Sequence, residues 1–551
     1  MGFWGERNIF PIKRLYGWQL STVVLSAALL APIIMVFIVA SGDTGGLWGH
    51  LFDSVVPRYL TNTLSLMFGV AIVSLVFGVS TAWLVVRYDF RMRRFFEWLL
   101  LLPAAMPAYL IAYTYGDFLE YSGPVQRIIR DLGGWESSSD YWFPQIRSLE
   151  GACFLMGSVL YPYVYVMARV GFLLIPSTFF DVSNLASRNG FWSVGIPLAR
   201  PAIMAGTALV LMETISEFGV VEYFSIQTFT LGIFNVWLGM NNITAAAQIA
   251  CLCFIFIVIL ISIEVISRSR QRFTDTTKKS QSLSPIKKRG LGEIICWLLC
   301  ILPIGIGFLI PMGVLLGFVF EGYSVGFSSD IADAAINSLI IGVSAAAIII
   351  SVSSFMLFTS KYRGPHLLKN LSQLASLGYA FPGAILAIGV VSITGYLDRA
   401  IAHVSNDLFN AEYQGFFGGS IGLIIFACVI RFQAIGYGAV SKGIERVPNN
   451  LVEASQVLGS NFIDQSTKII IPMIRLSILA GALLVFVDVM KELPMALILR
   501  PFNFETLATY IYQFAKDELL EEAALPALMI VATGIIPVLC LNFTINKLTR
   551  I

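Results

Sequence analysis

The chain has 551 residues, of which 57% are hydrophobic and 13% charged, and its formal net charge is +2. Soluble globular domains carry about 25% charged residues, so this composition excludes an ordinary soluble protein. It indicates a protein that crosses a membrane many times, because a helix of about 20 apolar residues spans roughly 30 Å of hydrocarbon.

Twelve apolar stretches of spanning length follow one another along the chain. Each is expected to be a helix, because backbone polar groups inside a bilayer must be paired within the segment, and this predicts an all-α polytopic membrane protein. Six stretches fall in each half, so both halves cross in the same sense and form two parallel six-helix repeats. The predicted spans are residues 18–40, 63–86, 97–116, 151–175, 201–219, 247–266, 293–319, 336–359, 372–396, 419–440, 474–497 and 524–544.

Landmark residues confirm the repeat because they recur at one separation. Asn62 and Asn337 are 275 positions apart (337 minus 62). The same separation joins Pro107 to Pro382, Pro197 to Pro472, Gly206 to Gly481 and Glu217 to Glu492. An internal repeat of this length predicts two tandem membrane halves about a pseudo-two-fold axis. The expected organisation is a first repeat over 1–266, a basic linker over 267–292 and a second repeat over 293–551.

Lysine and arginine gather on one side of the predicted spans. Cytoplasmic flanks hold an excess of these residues, so that side is cytoplasmic and both termini are expected there. A flexible tether explains the basic linker of residues 267–292, with its interspersed Ser, Thr and Pro, better than the alternative of nucleic-acid binding. The other basic residues on this side are Lys13, Arg14, Arg87, Arg91, Arg93 and Arg94.

The sequence indicates no fixed metal site and no bound cofactor. Cys251 and Cys253 are two apart and therefore lie on different helix faces, and His50, His366 and His403 are widely separated. No G-x-x-x-x-G-K-[ST] phosphate loop occurs. If ATP drives this protein, another subunit must bind it.

A short amphipathic helix is predicted between the tenth and eleventh spans, in VPNNLVEASQVLGSNFIDQSTKIIIP. Asn450 is the expected N-cap, with Glu453 reaching back, and Gly459 is the expected stop. Two turns of helix are too short to stand alone. Small residues on its face favour docking in a protein groove over the alternative of a helix lying on the membrane surface. That face holds Leu451, Ala454, Ser455 and Leu458.

This segment resembles the EAA box of ABC importer permeases, E-A-A-x-x-x-G followed by nine residues and I-x-L-P. The resemblance implies a type I ABC importer permease fold, in which the cytoplasmic helix is the coupling helix and sits in a groove on an ATPase subunit. Ser455 replaces the second Ala of the box. The matching positions are Glu453, Ala454, Ser455, Gly459 and Pro472.

The first half carries a weaker copy, PSTFFDVSNLASRNGFWSVGIPLARP, in which Thr178 and Asp181 are the expected capping pair. Ser187 stands where the box glycine belongs, and the stretch from there to Pro197 is three residues short. Coupling between the ATPase and the membrane helices is therefore expected to depend more on the second box than on the first. The corresponding positions are Asp181, Val182, Ser183 and Pro197.

Two further stretches, EFGVVEYFSIQTFTLGIFNVWLGM and DVMKELPMALILRPFNFETLATYIYQFAKDELLEEAALPALMIV, resemble the ferric-iron permeases whose two domains are fused. The resemblance implies a bacterial inner-membrane location, ferric iron delivered by a periplasmic or lipoprotein binding protein, and two copies of a separate ATPase that uses ATP and Mg²⁺. Thiamine and phosphonate importers share this architecture and remain alternatives. An ion-coupled secondary transporter would share the hydropathy but lack the paired boxes.

Four carboxylates fall inside predicted spans: Glu213 and Glu217 in the fifth, and Asp488 and Glu492 in the eleventh. Each pair stands four apart, which predicts one helix face per pair. Acids within a membrane are costly and usually face a cavity or a partner. Two interpretations stay open. The acids are structural, with Lys491 adjoining Glu492, or they line the translocation pathway and offer oxygen to a passing cation.

Overall fold

The computed structural model describes residues 15–269, 285–322, 329–362, 364–409, 415 and 418–548. The expectations for Lys13 and Arg14, for the two chain termini and for the centre of the linker fall outside these residues. Within them the secondary structure is helical apart from one pair of short strands.

Helices α1 to α12 lie in the first half. Their bounds are α1 Leu15–Ala40, α2 Leu47–Ser54, α3 Val56–Arg87, α4 Arg93–Leu99, α5 Ala108–Leu119, α6 Pro124–Gly133, α7 Leu149–Leu173, α8 Ser177–Leu185, α9 Ile196–Ser216, α10 Gly219–Tyr223, α11 Phe229–Phe234 and α12 Ile243–Ser269.

Helices α13 to α24 lie in the second half. Their bounds are α13 Leu291–Ile304, α14 Ile310–Phe320, α15 Ser329–Tyr362, α16 His366–Ala375, α17 Gly383–Phe409, α18 Ile421–Glu445, α19 Asn449–Val457, α20 Phe462–Asp464, α21 Ile471–Met490, α22 Pro494–Leu499, α23 Leu507–Lys516 and α24 Ala524–Leu548. Strands β1 (Tyr88–Asp89) and β2 (Ile286–Lys287) pair in parallel.

Within the described residues, nine helices are long and apolar enough to cross a membrane, and a tenth candidate is a bent helix pair. The predicted sixth and twelfth spans fall on α12 and α24, which have 27 and 25 residues. The predicted all-α polytopic fold is confirmed. The nine are Gly17–Ala40, Val56–Arg87, Leu149–Leu173, Phe191–Ser216, Leu291–Phe320, Ser329–Tyr362, Gly383–Asp407, Ile421–Glu445 and Phe462–Met490.

The predicted third and ninth spans, residues 97–116 and 372–396, are wrong as continuous helices. In the first half a 3₁₀ turn follows α4, Pro107 precedes α5, and the chain bends there by 89°. The second half repeats the pattern, with a 3₁₀ turn after α16 and Pro382 before α17. Proline lacks an N–H group and disfavours a helical residue before it, so both helices break at the repeated prolines.

The repeated glycines mark equivalent close helix contacts. A Cβ on Gly206 would lie 2.8 Å from the Cα of Val164, and a Cβ on Gly481 would lie 2.6 Å from the Cβ of Ala439. Val164 and Ala439 are themselves 275 positions apart (439 minus 164). The same helix pair therefore packs at the same point in both repeats, and only glycine permits the distance.

The repeated asparagines also hold equivalent positions. Asn62 Nδ2 donates to the carbonyl of Gln227, and Asn337 Nδ2 donates to the carbonyl of Glu505, both at 3.0 Å. Each bond ties the second long helix of a repeat to the segment that leads into the last helices of that repeat. A half-buried amide in this position supplies a partner to a loop carbonyl.

The chain forms two compact units. One comprises Met1–Val36, Ile340–Phe381 and Leu386–Val489, and the other comprises Phe37–Leu339, Pro382–Ile385 and Met490–Ile551. The predicted division at residues 267–292 is a division of the sequence and stays a prediction.

In the first unit, the start of α1 packs on second-half helices. The ring of Trp18 lies 5.6 Å from that of Phe355 and 5.3 Å from that of Phe462. The carbonyl of Pro32 lies against Gly389, where a Cβ would approach it to 2.1 Å. The first helix of the first repeat therefore contributes to the core of the second repeat.

In the second unit, the first helices of the second repeat pack on the first repeat. Tyr115 Oη donates to the carbonyl of Ile306 at 2.9 Å, and Trp297 Nε1 donates to the carbonyl of Arg91 at 3.0 Å. The buried Glu293 carboxylate accepts from the Arg91 N–H at 2.7 Å. The two repeats thus exchange their first helices.

The end of the predicted linker is held by the first repeat. Tyr88 pairs with Ile286 and Asp89 with Lys287, and the Lys288 N–H donates to the carbonyl of Asp89 at 3.0 Å. The expectation of a flexible tether is therefore wrong for its last residues, because β1 supplies their backbone groups with partners.

Candidate functional site

Helix α19 ends in the turn that its sequence predicts. Gly459 has φ +83°, its N–H donates to the carbonyl of Gln456, and the Ser460 N–H donates to the carbonyl of Ser455, both at 3.0 Å. This is a Schellman motif with glycine in the left-handed position. A Cβ on Gly459 would meet no heavy atom within 4 Å. The requirement for glycine is therefore conformational rather than steric.

Helix α8 ends in the same turn, although serine occupies the left-handed position. Ser187 has φ +50°, its N–H donates to the carbonyl of Asn184, and the Arg188 N–H donates to the carbonyl of Ser183, both at 3.0 Å. Ser187 and Gly459 are 272 positions apart (459 minus 187). Ser187 thus takes the place of the box glycine.

The predicted capping side chains are wrong for both helices: Asn450 with Glu453, and Thr178 with Asp181. The N-cap positions belong to Pro448 (φ −63°, ψ 130°) and Pro176 (φ −60°, ψ 141°), and no side chain caps either helix. Each helix begins at the residue after proline, because the proline ring fixes φ near −65° and the chain turns directly from an extended residue into the helix. Asn450 and Thr178 therefore lie within the first turn.

Both helices bury the same two positions. In α19 these are Val452 and Ser455, and in α8 they are Phe180 and Ser183, again 272 positions apart. The predicted face of α19 is therefore wrong at Ser455, which points inward while Leu451, Ala454 and Leu458 are exposed. Ser455 Oγ donates to the carbonyl of Val452 at 2.7 Å, and Ser183 Oγ lies 2.8 Å from Ser193 Oγ.

The opposite face of each helix exposes large apolar side chains. Leu185 in α8 and Val457 in α19 are both 87% exposed. The box residues Glu453, Ala454, Asp181 and Val182 are exposed as well. Exposed apolar surface on short helices that are anchored by their other face is typical of a protein interaction site. The other exposed apolar residues are Phe179, Leu451 and Leu458.

Each helix is anchored to the end of a long span. The Phe180 ring lies 5.8 Å from that of Trp83, and the Arg87 guanidinium lies 4.9 Å over it. Val452 belongs to an apolar cluster that includes Phe358, which is 275 positions after Trp83. Displacement of α8 or α19 would therefore act on α3 or α15 through apolar contacts at equivalent positions.

The first box is three residues shorter than the second, and this difference lies after the turn. Asn189 Oδ1 accepts from the Phe191 N–H at 3.0 Å, and Asn461 Oδ1 accepts from the Asp464 N–H at 2.8 Å. The following helical segments, Phe191–Ser216 and Phe462–Met490, have 26 and 29 residues, so the extra three residues of the second repeat lengthen the start of this helix. Pro197 and Pro472 are the second residues of α9 and α21.

The prediction that the acids share helix faces is wrong for Glu217 and Glu492, because α9 and α21 end before them. Glu213 and Asp488 remain within these helices and are half-buried. Asp488 belongs to the first compact unit, and the other three acids belong to the second.

Glu217 and Glu492 make the same local bond. Glu217 Oε1 accepts from the Val220 N–H at 3.2 Å, and Glu492 Oε1 accepts from the Met495 N–H at 3.1 Å. Each carboxylate thereby caps a short helix, α10 or α22, and carries negative charge near a helix N-terminus, where it is stabilised. Both carboxylates therefore have a structural role at the start of a short helix.

The two capped turns converge on Tyr109 of α5. A Cβ on Gly219 would lie 2.4 Å from the Cβ of Tyr109 and 3.1 Å from Leu493 Cδ2. The buried Tyr109 hydroxyl interacts electrostatically with both Glu217 and Glu492. Sequence reasoning missed Tyr109, because its partners lie more than 100 positions away and no local spacing signals the contact.

Lys491 adjoins Glu492, and its Nζ donates to the carbonyl of Ala104 at 2.8 Å. Ala104 lies in the 3₁₀ turn at the break between α4 and α5. Within the part of the chain that the structure describes, no group of three or more His, Cys, Asp or Glu residues is arranged to hold a metal.

Arg147 forms a further charged cluster that the sequence did not reveal. Its guanidinium donates to Glu518 Oε1 at 3.2 Å, Glu120 Oε2 at 3.5 Å and Tyr223 Oη at 3.1 Å. Burial raises the pKa of the Tyr223 hydroxyl, while the Arg147 charge acts in the opposite sense. The cluster ties the segment before α7 to the residues that follow α5 and α23 and to the last residue of α10.

The helices that could cross a membrane and the short helices α8 and α19 agree with a multi-pass inner-membrane permease, a transport subunit. Residues 356–551 match the family described as binding-protein-dependent transport system inner membrane component. Helix α19 and the turn at Gly459 lie inside this match. The matched residues make up the larger part of the second repeat.

Similar permeases carry related names. The chain is 26% identical over 505 residues to the Fe(3+)-transport system permease protein FbpB 2 of Haemophilus influenzae, which covers 89% of this chain and 91% of that protein. It is 24% identical over 213 residues to a probable sulfate transport system permease protein, cysT, of Chlorokybus atmophyticus, covering 38% and 71%. The molybdate/tungstate transport system permease protein WtpB of Pyrococcus abyssi is 24% identical over 193 residues, covering 34% and 69%.

Proposed function

We propose that this chain is the permease subunit of an ATP-driven importer for ferric iron. The observation that carries the proposal is the similarity to a Fe(3+)-transport permease over 89% of the chain, which includes both repeats. The sulfate and molybdate/tungstate relatives align with 38% and 34% of the chain. A fused chain of two repeats is therefore common to this protein and the ferric-iron relative.

Two copies of a separate ATPase subunit, which bind ATP and Mg²⁺, dock on α8 and α19. The matching turns at Ser187 and Gly459 and the exposed side chains of Val182, Leu185 and Val457 support this assignment. Closure of the ATPases displaces the two helices, and the repeats alternate between outward and inward access. The permease itself binds no cofactor and carries out no chemistry on the cargo.

A periplasmic or lipoprotein binding protein delivers the iron to the extracytoplasmic side. Acidic side chains that lie near one another in the second unit support this assignment. Asp117 interacts with Glu120 and Glu521, and Glu518 pairs with Arg147. Both chain termini face the cytoplasm, as the positive-inside pattern indicates.

Glu213, Glu217, Asp488 and Glu492 line the translocation pathway and offer oxygen to the cation. Ferric ion is a hard cation that prefers oxygen ligands. Glu217 and Glu492 occupy equivalent positions in the two repeats, and each accepts one backbone N–H bond through Oε1, which supports a shared role.

Oxyanion import is the second candidate function, because the half-length relatives are sulfate and molybdate/tungstate permeases. The carboxylates at Tyr109 disfavour it, because like charges close together in a poorly solvated site repel one another. Thiamine and phosphonate import, the alternatives from the sequence, are separated from iron by the same experiment.

The test is growth and uptake in a deletion strain of the source organism. Deletion should abolish growth on ferric sources and leave the use of sulfate, molybdate, thiamine and phosphonate unchanged, and the wild-type gene should restore growth. Iron uptake should survive an uncoupler and stop without ATP. Normal iron uptake combined with a requirement for thiamine or sulfate would contradict the proposal, and uptake that an uncoupler abolishes would favour a secondary transporter.

A further inference from the structure

A basic surface forms where the end of the linker pairs with the loop after α3. Strands β1 and β2 lie side by side, with Tyr88 opposite Ile286, although these two residues are 198 positions apart (286 minus 88). The pairing brings together two runs of charged residues, 87–94 and 285–290. Their exposed charged side chains are all basic, and these four residues are the basic surface: Arg91, Arg94, Lys287 and Arg289.

A buried carboxylate joins the two runs through the backbone of one and the side chain of the other. Glu293 Oε1 accepts from the Arg91 N–H at 2.7 Å and lies 4.0 Å from Arg289 Nη1. The carboxylate of Glu97, in α4, pairs with two arginines outside the basic surface. Among the described residues, the side chains of Arg91 and Arg94 form no ion pair, so each carries an exposed positive charge.

An exposed apolar stripe on α13 begins next to the basic surface. Ile294 and Leu298 are exposed and lie one helical turn apart. Each directly follows a residue that contacts the loop after α3, because Glu293 accepts from the Arg91 N–H and Trp297 Nε1 donates to the Arg91 carbonyl at 3.0 Å. The stripe therefore starts at the level of Arg91 and runs along a helical segment long enough to cross a membrane. Further exposed residues of α13 are Leu291, Ile295, Leu299, Ile301 and Leu302.

Aromatic side chains lie between the basic surface and the apolar stripe. Trp297 is half-buried, and its N–H group is bonded to the loop backbone. On α4, next to Arg94, the exposed Phe95 ring lies 6.2 Å from the half-buried Trp98 ring. Tryptophan is enriched at the level of the lipid headgroups, where its ring contacts acyl chains and its N–H finds a polar partner. The aromatic residues therefore place the basic surface at headgroup level.

From this arrangement we propose that the basic surface and the α13 stripe together bind an anionic phospholipid, in the leaflet on the side of α8 and α19. The Arg91 and Arg94 guanidiniums bind the phosphate, because arginine forms strong charge-assisted bonds to phosphate oxygens. The acyl chains lie along Ile294 and Leu298. Basic clusters beside a membrane-spanning helix attract anionic headgroups. The inference does not depend on the identity of the cargo.

The apolar stripe favours a lipid over a protein partner. An acidic surface of an ATPase subunit would also suit the four basic side chains, but a soluble subunit does not reach along a helix into the hydrocarbon. A phospholipid matches both parts, since its headgroup and its chains meet at the same level as the basic surface and the stripe. The bound anion also reduces the repulsion between the two basic runs and thereby stabilises the pairing of β1 with β2.

Native mass spectrometry of the full chain tests the binding. The protein in detergent is titrated with phosphatidylglycerol and with phosphatidylcholine of the same acyl chains, and it should prefer phosphatidylglycerol. The double variant Arg91→Gln/Arg94→Gln should weaken phosphatidylglycerol affinity by roughly 25-fold, about fivefold for each basic side chain near the membrane surface, and leave phosphatidylcholine unchanged. The bonds of Glu293 and Trp297 to residue 91 persist, because both use its backbone.

Lys369→Gln/Lys442→Gln is the matched control, because it removes the same number of charges from exposed positions on α16 and α18. Lys369 is the position equivalent to Arg94 in the second repeat (369 minus 94 is 275). Neither lysine belongs to the strand pair of the described residues. This control should keep wild-type affinity for phosphatidylglycerol. An equal loss in both double variants would overturn the site, because the lipid would then follow the overall charge of the protein.

Hydrogen exchange gives an independent measurement in lipid nanodiscs. The Lys288 N–H, which donates to the Asp89 carbonyl, should exchange more slowly in phosphatidylglycerol than in phosphatidylcholine, and Arg91→Gln/Arg94→Gln should abolish this difference. Size-exclusion chromatography checks the folding of each variant. Unchanged phosphatidylglycerol affinity in that variant would overturn the proposal, and loss of a co-purified ATPase instead would assign the surface to that subunit. Displacement of the lipid by excess inorganic phosphate would also overturn it, because the stripe would then contribute nothing.

Discussion

Valine at Gly459 should loosen the C-terminal end of α19, and valine at Ser187 should loosen the C-terminal end of α8 by a smaller amount. Both residues have positive φ, +83° and +50°, in the same hydrogen-bonded turn. An L-residue in the left-handed region costs roughly 1–2 kcal/mol, and β-branched residues are the least tolerant of it. A Cβ on Gly459 meets nothing within 4 Å, so the expected cost is backbone strain with no added clash.

A cost of about 1–2 kcal/mol changes the ratio of closed to open turn by roughly 5- to 30-fold. Amide hydrogen exchange at the C-terminal turn of α19 should therefore accelerate by about that factor in Gly459→Val. In Ser187→Val the acceleration at the turn of α8 should be smaller, because Ser187 is already an L-residue with positive φ and valine adds only its β-branching. Ser187→Gly should have the opposite effect and slow exchange, because glycine adopts φ +50° without strain. Gly459→Asn should be milder than valine, since asparagine tolerates the left-handed region.

ATP-driven uptake in membrane vesicles measures the consequence for coupling. Both valine variants should insert normally and lose uptake. Wild-type exchange and uptake in Gly459→Val would refute the assignment of this turn. Full uptake in Ser187→Val beside a severe defect in Gly459→Val would restore the asymmetry that the sequence suggests and show that equal geometry does not mean equal function.

Three further changes test other parts of the structure. Glu97→Ala should destabilise the protein by about 3–5 kcal/mol, because it strands Arg169, whose guanidinium pairs with Glu97 at 2.7 Å in a buried position; the thermal stability of the detergent-purified protein measures this. The double variant Glu217→Gln/Glu492→Gln should keep both capping bonds, since an amide oxygen also accepts, and should lower iron flux by at least roughly tenfold; normal flux would exclude a pathway role, and failure to assemble would favour the structural one. Asn62→Ala should cost about 1 kcal/mol through loss of its 3.0 Å bond to a backbone carbonyl, visible as a small shift of the same thermal transition.

The repeat was predictable because its glycine and proline landmarks meet backbone requirements that both halves share. Gly206 and Gly481 stand where two helices come too close for a side chain. The prolines at 107 and 382 were equally visible, but hydropathy runs unbroken through both positions and conceals the break that proline imposes. The exchange of first helices between repeats left no signal in the sequence, because packing partners of uniformly apolar helices have no local pattern.

The same limits apply to the candidate site. Glycine at position 459 predicts a residue in the left-handed region. Serine at position 187 does not, since few non-glycine residues have positive φ. The acids Glu217 and Glu492 were found by their symmetry, but their partner Tyr109 belongs to one repeat only: the position 275 residues later is Ala384. Because Tyr109 has no counterpart in the second repeat, its place beside Glu217 and Glu492 cannot be predicted from the internal repeat.

The difference in length between the two boxes lies after the turns that end α8 and α19, so it leaves both helices unchanged. Both helices start after a proline, bury equivalent residues against the end of a long span and stop in the same turn. The three additional residues of the second repeat enter only afterwards, as one extra turn ahead of α21. A helix can gain a turn at its start without changing the contacts that precede it. Asn461 Oδ1 caps the longer segment by accepting from the Asp464 N–H, and Asn189 Oδ1 accepts from the Phe191 N–H in a turn before the shorter one. An ATPase that recognises the orientation and the apolar face of α8 and α19, rather than the exact residues of the motif, would therefore bind two equivalent surfaces.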